Sequence, residues 1–134
     1  MAQHPLDIQN AFESICALFH NLHPEEKEKI RNNFSCTFYR KGEIIFRDGE
    51  KPIGLVCLYK GKVKLFKEGV GGRDQIVRMA KPVGFIGYRA LFADENHNAT
   101  AQSIEDSLVC TIDTQCLFEI LTTNAPLTFN ILKS

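Results

Sequence analysis

Between Ser35 and Ile112 the chain consists of short alternating runs separated by glycine, a pattern that suits an antiparallel sandwich or barrel. The alternation predicts strands over Cys36–Tyr39, Glu43–Phe46, Leu55–Tyr59, Val63–Lys67, Gln75–Met79, Thr100–Ile104 and Leu108–Ile112. Breaks fall at Lys41-Gly42, Asp48-Gly49, Lys60-Gly61, Gly69 to Gly72 and Pro82 to Gly87. A helical interruption, Tyr88 to Phe92, follows Gly87 directly.

Helices flank this region. Ile8, Phe12, Ile15, Phe19 and Leu22 recur at spacings of four and three, which predicts one amphipathic helix over Leu6 to Leu22. Pro24 with Glu25 and Glu26 opens a second helix, about Pro24 to Asn33, with only Ile30 and Phe34 to bury. Asp113 or Thr114 caps a third that runs to about Leu121. Pro126 starts another, Leu127 to Leu132, too short to hold by itself. A chain ending in mid-element reads as a domain taken from a longer protein.

At 134 residues this is one domain, large enough to bury a core without staples. Lys+Arg and Asp+Glu are both 16, so there is no basic excess for a phosphate backbone. No apolar run is long enough for a membrane helix, and the N-terminus is not a signal peptide; a cytoplasmic protein is expected, with no membrane partner. Five cysteines without a CxxC pair fit a reducing compartment.

Two function classes are tested directly by the residues. A metal-dependent β-barrel enzyme needs several inward histidines with a carboxylate. The strand region has only His97, set among Asp94, Glu95, Asn96 and Asn98 as in an exposed loop. Neither HExxH nor Gly-x-Ser-x-Gly occurs, so no catalytic residue is assigned. A nucleic-acid-binding β-barrel module is the second class. Lys60, Lys62 and Lys64 alternate with Val63 and Leu65, which is the pattern of a half-solvated strand, and stacking aromatics are not interleaved.

Three stretches, in order and spacing, resemble the effector-sensing domain of the Crp/Fnr family of bacterial transcription regulators, a cyclic-nucleotide-binding-like domain. They are Tyr39-Arg40-Lys41-Gly42-Glu43-Ile44-Ile45-Phe46-Arg47-Asp48-Gly49-Glu50, then Leu58-Tyr59-Lys60-Gly61-Lys62-Val63-Lys64-Leu65, and Phe85 to Phe92 continued by Ala99 to Leu108. The resemblance implies an α+β fold: an antiparallel β-roll (a double-stranded β-helix, jelly-roll-like) flanked by N-terminal helices and the start of a C-terminal dimerisation helix. Residues 1–34 would form the helices, 35–124 the roll with its following helix, and 125–134 the beginning of the dimer helix. The family's DNA-binding helix-turn-helix domain would follow outside this chain, so DNA contact and homodimerisation are expected of the longer protein.

The resemblance also places the effector cassette at Gly87, Tyr88, Arg89, Ala90, Leu91, His97, Asn98 and Ala99. Members that bind cyclic AMP carry Gly-Glu at its start and Arg-Ser or Arg-Thr near its end. Here Tyr88 stands at the Glu position, His97 at the Arg position and Asn98 at the Ser/Thr position. A neutral imidazole does not match a bidentate guanidinium, and each lost charge-assisted bond costs about 1.5–3 kcal/mol. An effector other than cyclic AMP is expected. One candidate is haem, as in a nitric oxide or redox sensor, with His97, Tyr88 or Met79 as axial ligand and His20 or His23 as weaker choices. The alternative is a small anionic ligand or a nucleotide bound without haem. Cys110 lies where the family's iron–sulfur proteins place their fourth ligand, but the N-terminal cysteine cluster is missing, so a cluster is not expected.

Overall fold

The computed structural model describes residues 5–19 and 21–124. Helices α1 (Pro5–Cys16) and α2 (Pro24–Asn32) lead into strands β1 (Phe34–Tyr39), β2 (Ile44–Phe46), β3 (Gly54–Lys60), β4 (Val63–Glu68), β5 (Asp74–Ala80) and β6 (Gly84–Ile86). Helix α3 (Tyr88–Ala93), strands β7 (Thr100–Ser103) and β8 (Ser107–Asp113), and helix α4 (Thr114–Thr123) complete the described chain. The strands form two four-stranded antiparallel sheets, in the orders β1-β8-β3-β6 and β2-β7-β4-β5. This is the expected jelly-roll-like architecture.

Alternation gives the first sheet two apolar faces and so two cores. Val56, Leu58, Ile86 and Val109 face the second sheet and meet Phe46, Val63, Leu65, Ala99 and Ala101. Leu55, Cys57, Phe85, Cys110 and Ile112 face the other way, against Phe12, Ile15, Ile30, Leu117 and Ile120 of the helices. At about 1.5–3 kcal/mol per buried large side chain, these two layers dominate the stability of the fold.

Several boundaries differ from the sequence reading. Helix α1 stops at Cys16 rather than Leu22, because the backbone tightens into three-residue turns, Leu18 N–H to Ile15 O and Phe19 N–H to Cys16 O, both 3.0 Å. Asn21 then takes a left-handed φ of 64°. Phe19 and Leu22 still reach the core, but from the turn. The supposed break from Pro82 to Gly87 contains β6, three residues paired with β3 through Val56–Ile86, Cys57–Phe85 and Leu58–Gly84. The lysines do not share a strand: Lys60 ends β3 in the first sheet, Lys62 sits in the turn, and Lys64 belongs to β4 in the second sheet. The turn needs Gly61 (φ 103°), where any Cβ would strike Ser107. The helix expected over Leu127 to Leu132 lies outside the described residues.

Strand β8 passes into α4 without an intervening residue. Asp113 is both the last residue of the strand and the cap of the helix, its Oδ2 accepting from Gln115 N–H at 3.1 Å and Cys116 N–H at 3.3 Å. Two orphan helix donors are thereby satisfied. Among the described residues no helix is long and apolar enough to cross a membrane.

Candidate effector cavity

Gly87, at the entrance to α3, is left-handed (φ 71°). A Cβ there would lie 2.7 Å from His97 Cε1 and 2.9 Å from Phe46 Cζ, so only glycine lets the backbone close on these two rings. His97 and Phe46 stack with centroids 3.7 Å apart and planes 11° from parallel. The exposed loop expected for His97 is therefore corrected: the residue is 6 % exposed. Its polar neighbours in sequence do point outward, while its own backbone is tied to the loop after β2. His97 N–H donates to Glu50 O at 2.8 Å, and Gly49 N–H donates to His97 O at 2.7 Å. Burial holds the imidazole below its ordinary pKa near 6.5, with Glu50 pulling weakly the other way.

Beside this stack lies a cavity of about 370 Å³, lined by Phe46, Leu65, Val77, Arg78, Gly87, Tyr88, Arg89, Ala90, His97, Asn98 and Ala99. Seven of the eight cassette residues therefore meet around one space. Leu91 is the exception, being buried in the core beneath the helices. Tyr88 is half-buried against that same core while lining the cavity. Met79 does not line it. In the β4–β5 register Met79 pairs with Lys64, alternate to Leu65, and it stands 44 % exposed. His23 precedes α2, and its N–H donates to Glu26 Oε1 at 2.9 Å; His20 lies outside the described residues.

Four cavity residues escaped the sequence reading. Phe46 comes from β2 and Leu65 from β4. A bulge in β5, where Arg78 faces Leu65 but Ile76 already faces Phe66, leaves Val77 and Arg78 both at the cavity. Alternation alone does not give the position of a bulge. Arg78 Nη2 donates to Phe85 O at 3.3 Å. The lining thus joins an apolar set to two guanidinium groups, with no carboxylate among the residues named above. Such a wall suits a flat, partly apolar anion. Phe46 and His97 also border a second cavity of about 200 Å³, so the stack is shared by the walls of both.

A sequence profile for the family described as Cyclic nucleotide-binding domain matches residues 36–124. The Cyclic AMP receptor protein of Thermus thermophilus is 31% identical over 90 residues, covering 67% of this chain and 42% of that protein. The Transcriptional activator protein Anr of Pseudomonas protegens is 30% identical over 81 residues, 60% of this chain and 33% of that one. The chain spans less than half the length of these two relatives. Among solved structures, the sensor domain of the transcriptional regulator DNR from Pseudomonas aeruginosa superposes with a TM-score of 0.81. That match covers 95% of this chain and 85% of the other at 23% identity, a likeness of fold.

Proposed function

Because the chain belongs to the cyclic nucleotide-binding domain family, in the form found in Crp/Fnr-type transcription regulators, we propose that it senses a flat anionic effector other than cyclic AMP. The observation that carries this reading is the buried His97–Phe46 stack, where a phosphate-pairing arginine would otherwise stand. A neutral imidazole pressed on a phenyl ring offers no charge to a cyclic phosphate. Tyr88, in the glutamate position, offers no carboxylate to a ribose. Arg78 and Arg89 supply positive charge at a different part of the wall.

Relay to DNA belongs to the longer protein in this reading. Crp/Fnr regulators work as dimers that bind a small effector and DNA, and an effector acts only through its preference for one of two states. Helix α4 leads toward the segment that would form the dimer helix. The DNA-binding domain would lie beyond it.

Haem is the specific effector that the donor set favours. His97 lines the cavity with an imidazole kept neutral by burial, and Tyr88 adds a phenol, both suitable as axial ligands. Arg78 and Arg89 would meet the propionates, and the bound group would supply a gas-binding iron. The roughly 370 Å³ available is at the lower end for a small-molecule site, so a haem would be partly enclosed.

Two titrations test the reading. Calorimetry with cyclic AMP should give no saturable heat at up to about 100 µM, which would place any binding below ~5.5 kcal/mol in strength. Haemin followed in the Soret band should give a saturable one-to-one shift that weakens in Arg89→Ala and changes position in His97→Ala. Tight cyclic AMP binding would overturn the proposal, and a featureless haemin titration of the full-length regulator would remove haem from it.

A further inference from the structure

Three cysteines that the effector reading does not use stand on one rung of the first sheet. Cys36 of β1 pairs directly with Cys110 of β8, and Cys110 pairs directly with Cys57 of β3. All three point toward the helices, away from the effector cavity. Their environments differ. Cys57 is buried at the centre of the sheet, and burial pushes its thiol up to about 12. Cys36 is half-buried on β1, which is an edge strand. The Sγ atoms of Cys36 and Cys110 approach to 2.7 Å. Directly opposed antiparallel residues have Cα atoms about 4.5–5.5 Å apart, inside the ~4.4–6.8 Å window that a disulfide requires.

We propose that Cys36 and Cys110 form a reversible thiol–disulfide site, oxidised by hydroperoxides, that fastens the edge strand β1 to β8. The pair divides the chemistry. The contact with Cys110 favours the Cys36 thiolate, Cys36 being the less buried of the two sulfurs. Cys36 is also the one reached from the open side of the sheet. Its sulfur attacks the peroxide, the O–O bond breaks, and the departing oxygen leaves protonated as water or an alcohol. The resulting Cys36 sulfenic acid is then attacked by the Cys110 sulfur. The S–O bond breaks, water departs with the Cys110 proton, and the S–S bond forms. Two thiols are oxidised by two electrons, and one hydroperoxide is reduced. Among the described residues no three His, Cys, Asp or Glu side chains are grouped to hold a metal ion, so this is the chemistry of a pair.

The test treats the folded chain with hydrogen peroxide, quenches in acid, counts thiols and maps the cross-link. Trypsin with Asp-N protease is needed, because cleavage before Asp113 separates Cys110 from Cys116. The expected result is a loss of two from the five thiols, a Cys36–Cys110 cross-linked peptide pair, and full reversal by dithiothreitol. The same link should form in Cys57→Ser and vanish in Cys36→Ser. An unchanged thiol count would overturn the proposal. So would a link through any other cysteine, or Cys36 carried to sulfinic acid without a link.

Discussion

The imidazole of His97 lies flat on the phenyl ring of Phe46, 51 positions away in sequence, and the Gly87 backbone closes against both rings. Stacked rings of this kind contribute about 0.5–1.5 kcal/mol beyond their buried area. The contact also fixes the character of the candidate cavity, because the pair forms part of its wall.

Gly87→Ala should damage that wall. Alanine meets a left-handed φ, costing about 1–2 kcal/mol, and its Cβ collides with both rings, adding about 1–3 kcal/mol of overpacking. Urea unfolding should show a total loss of about 2–5 kcal/mol. A variant as stable as the parent would mean that the rings move apart freely.

Stability should fall as the solution is acidified from about pH 7 toward pH 5. The folded-state pKa of His97 is depressed, so the unfolded chain binds the extra proton first. The stability this residue contributes is complete above the unfolded value near 6.5, and it is lost as pH falls through the folded value. His97→Phe keeps an aromatic ring on Phe46 and should flatten the thermal midpoint across that window. The same slope in both proteins would assign the effect to another group.

Tyr88→Glu combined with His97→Arg should restore a carboxylate for a ribose and a guanidinium for a cyclic phosphate. Each charge-assisted bond is worth about 1.5–3 kcal/mol, so cyclic AMP affinity should rise by at least about tenfold in calorimetry. A double variant that folds and still shows no heat would break the correspondence between these positions and the nucleotide-binding pattern.

Asp113→Ala removes the acceptor for two amide donors at the start of α4. A lost cap costs about 0.5–2 kcal/mol. Hydrogen exchange should quicken at Gln115 and Cys116 before it does at Leu108 or Val109. Equal acceleration throughout β8 would show that the strand and the cap open together.

Much of the roll is legible in the sequence because alternation reports a buried face directly, and the glycines at 42, 49 and 61 mark turns that take left-handed backbone. Strand β6 is not legible: Gly84, Phe85 and Ile86 are too few to establish a period, and pairing with β3 is what makes them a strand. The end of α1 is hidden for the opposite reason. Phe19 and Leu22 keep a helical spacing although a turn now delivers them to the core.

The cassette residues are placed by resemblance to a motif that runs along the chain. Phe46, Leu65 and Arg78 carry no such motif, since they reach the cavity through sheet pairing and a bulge. His97 misled because its neighbours are polar, while its burial depends on a ring from β2. The approach of Cys36 to Cys110 depends on strand register across a separation of 74 residues, which composition and spacing do not carry.

The direct passage from β8 into α4 removes the place where motion would ordinarily be absorbed. A loop between two elements lets one shift while the other stays put. Here Asp113 belongs to both, so β8 and α4 meet with no loop between them. The last residue of the strand is thus also the anchor of the helix, and the direction in which α4 sets out is tied to the position of β8 in the sheet.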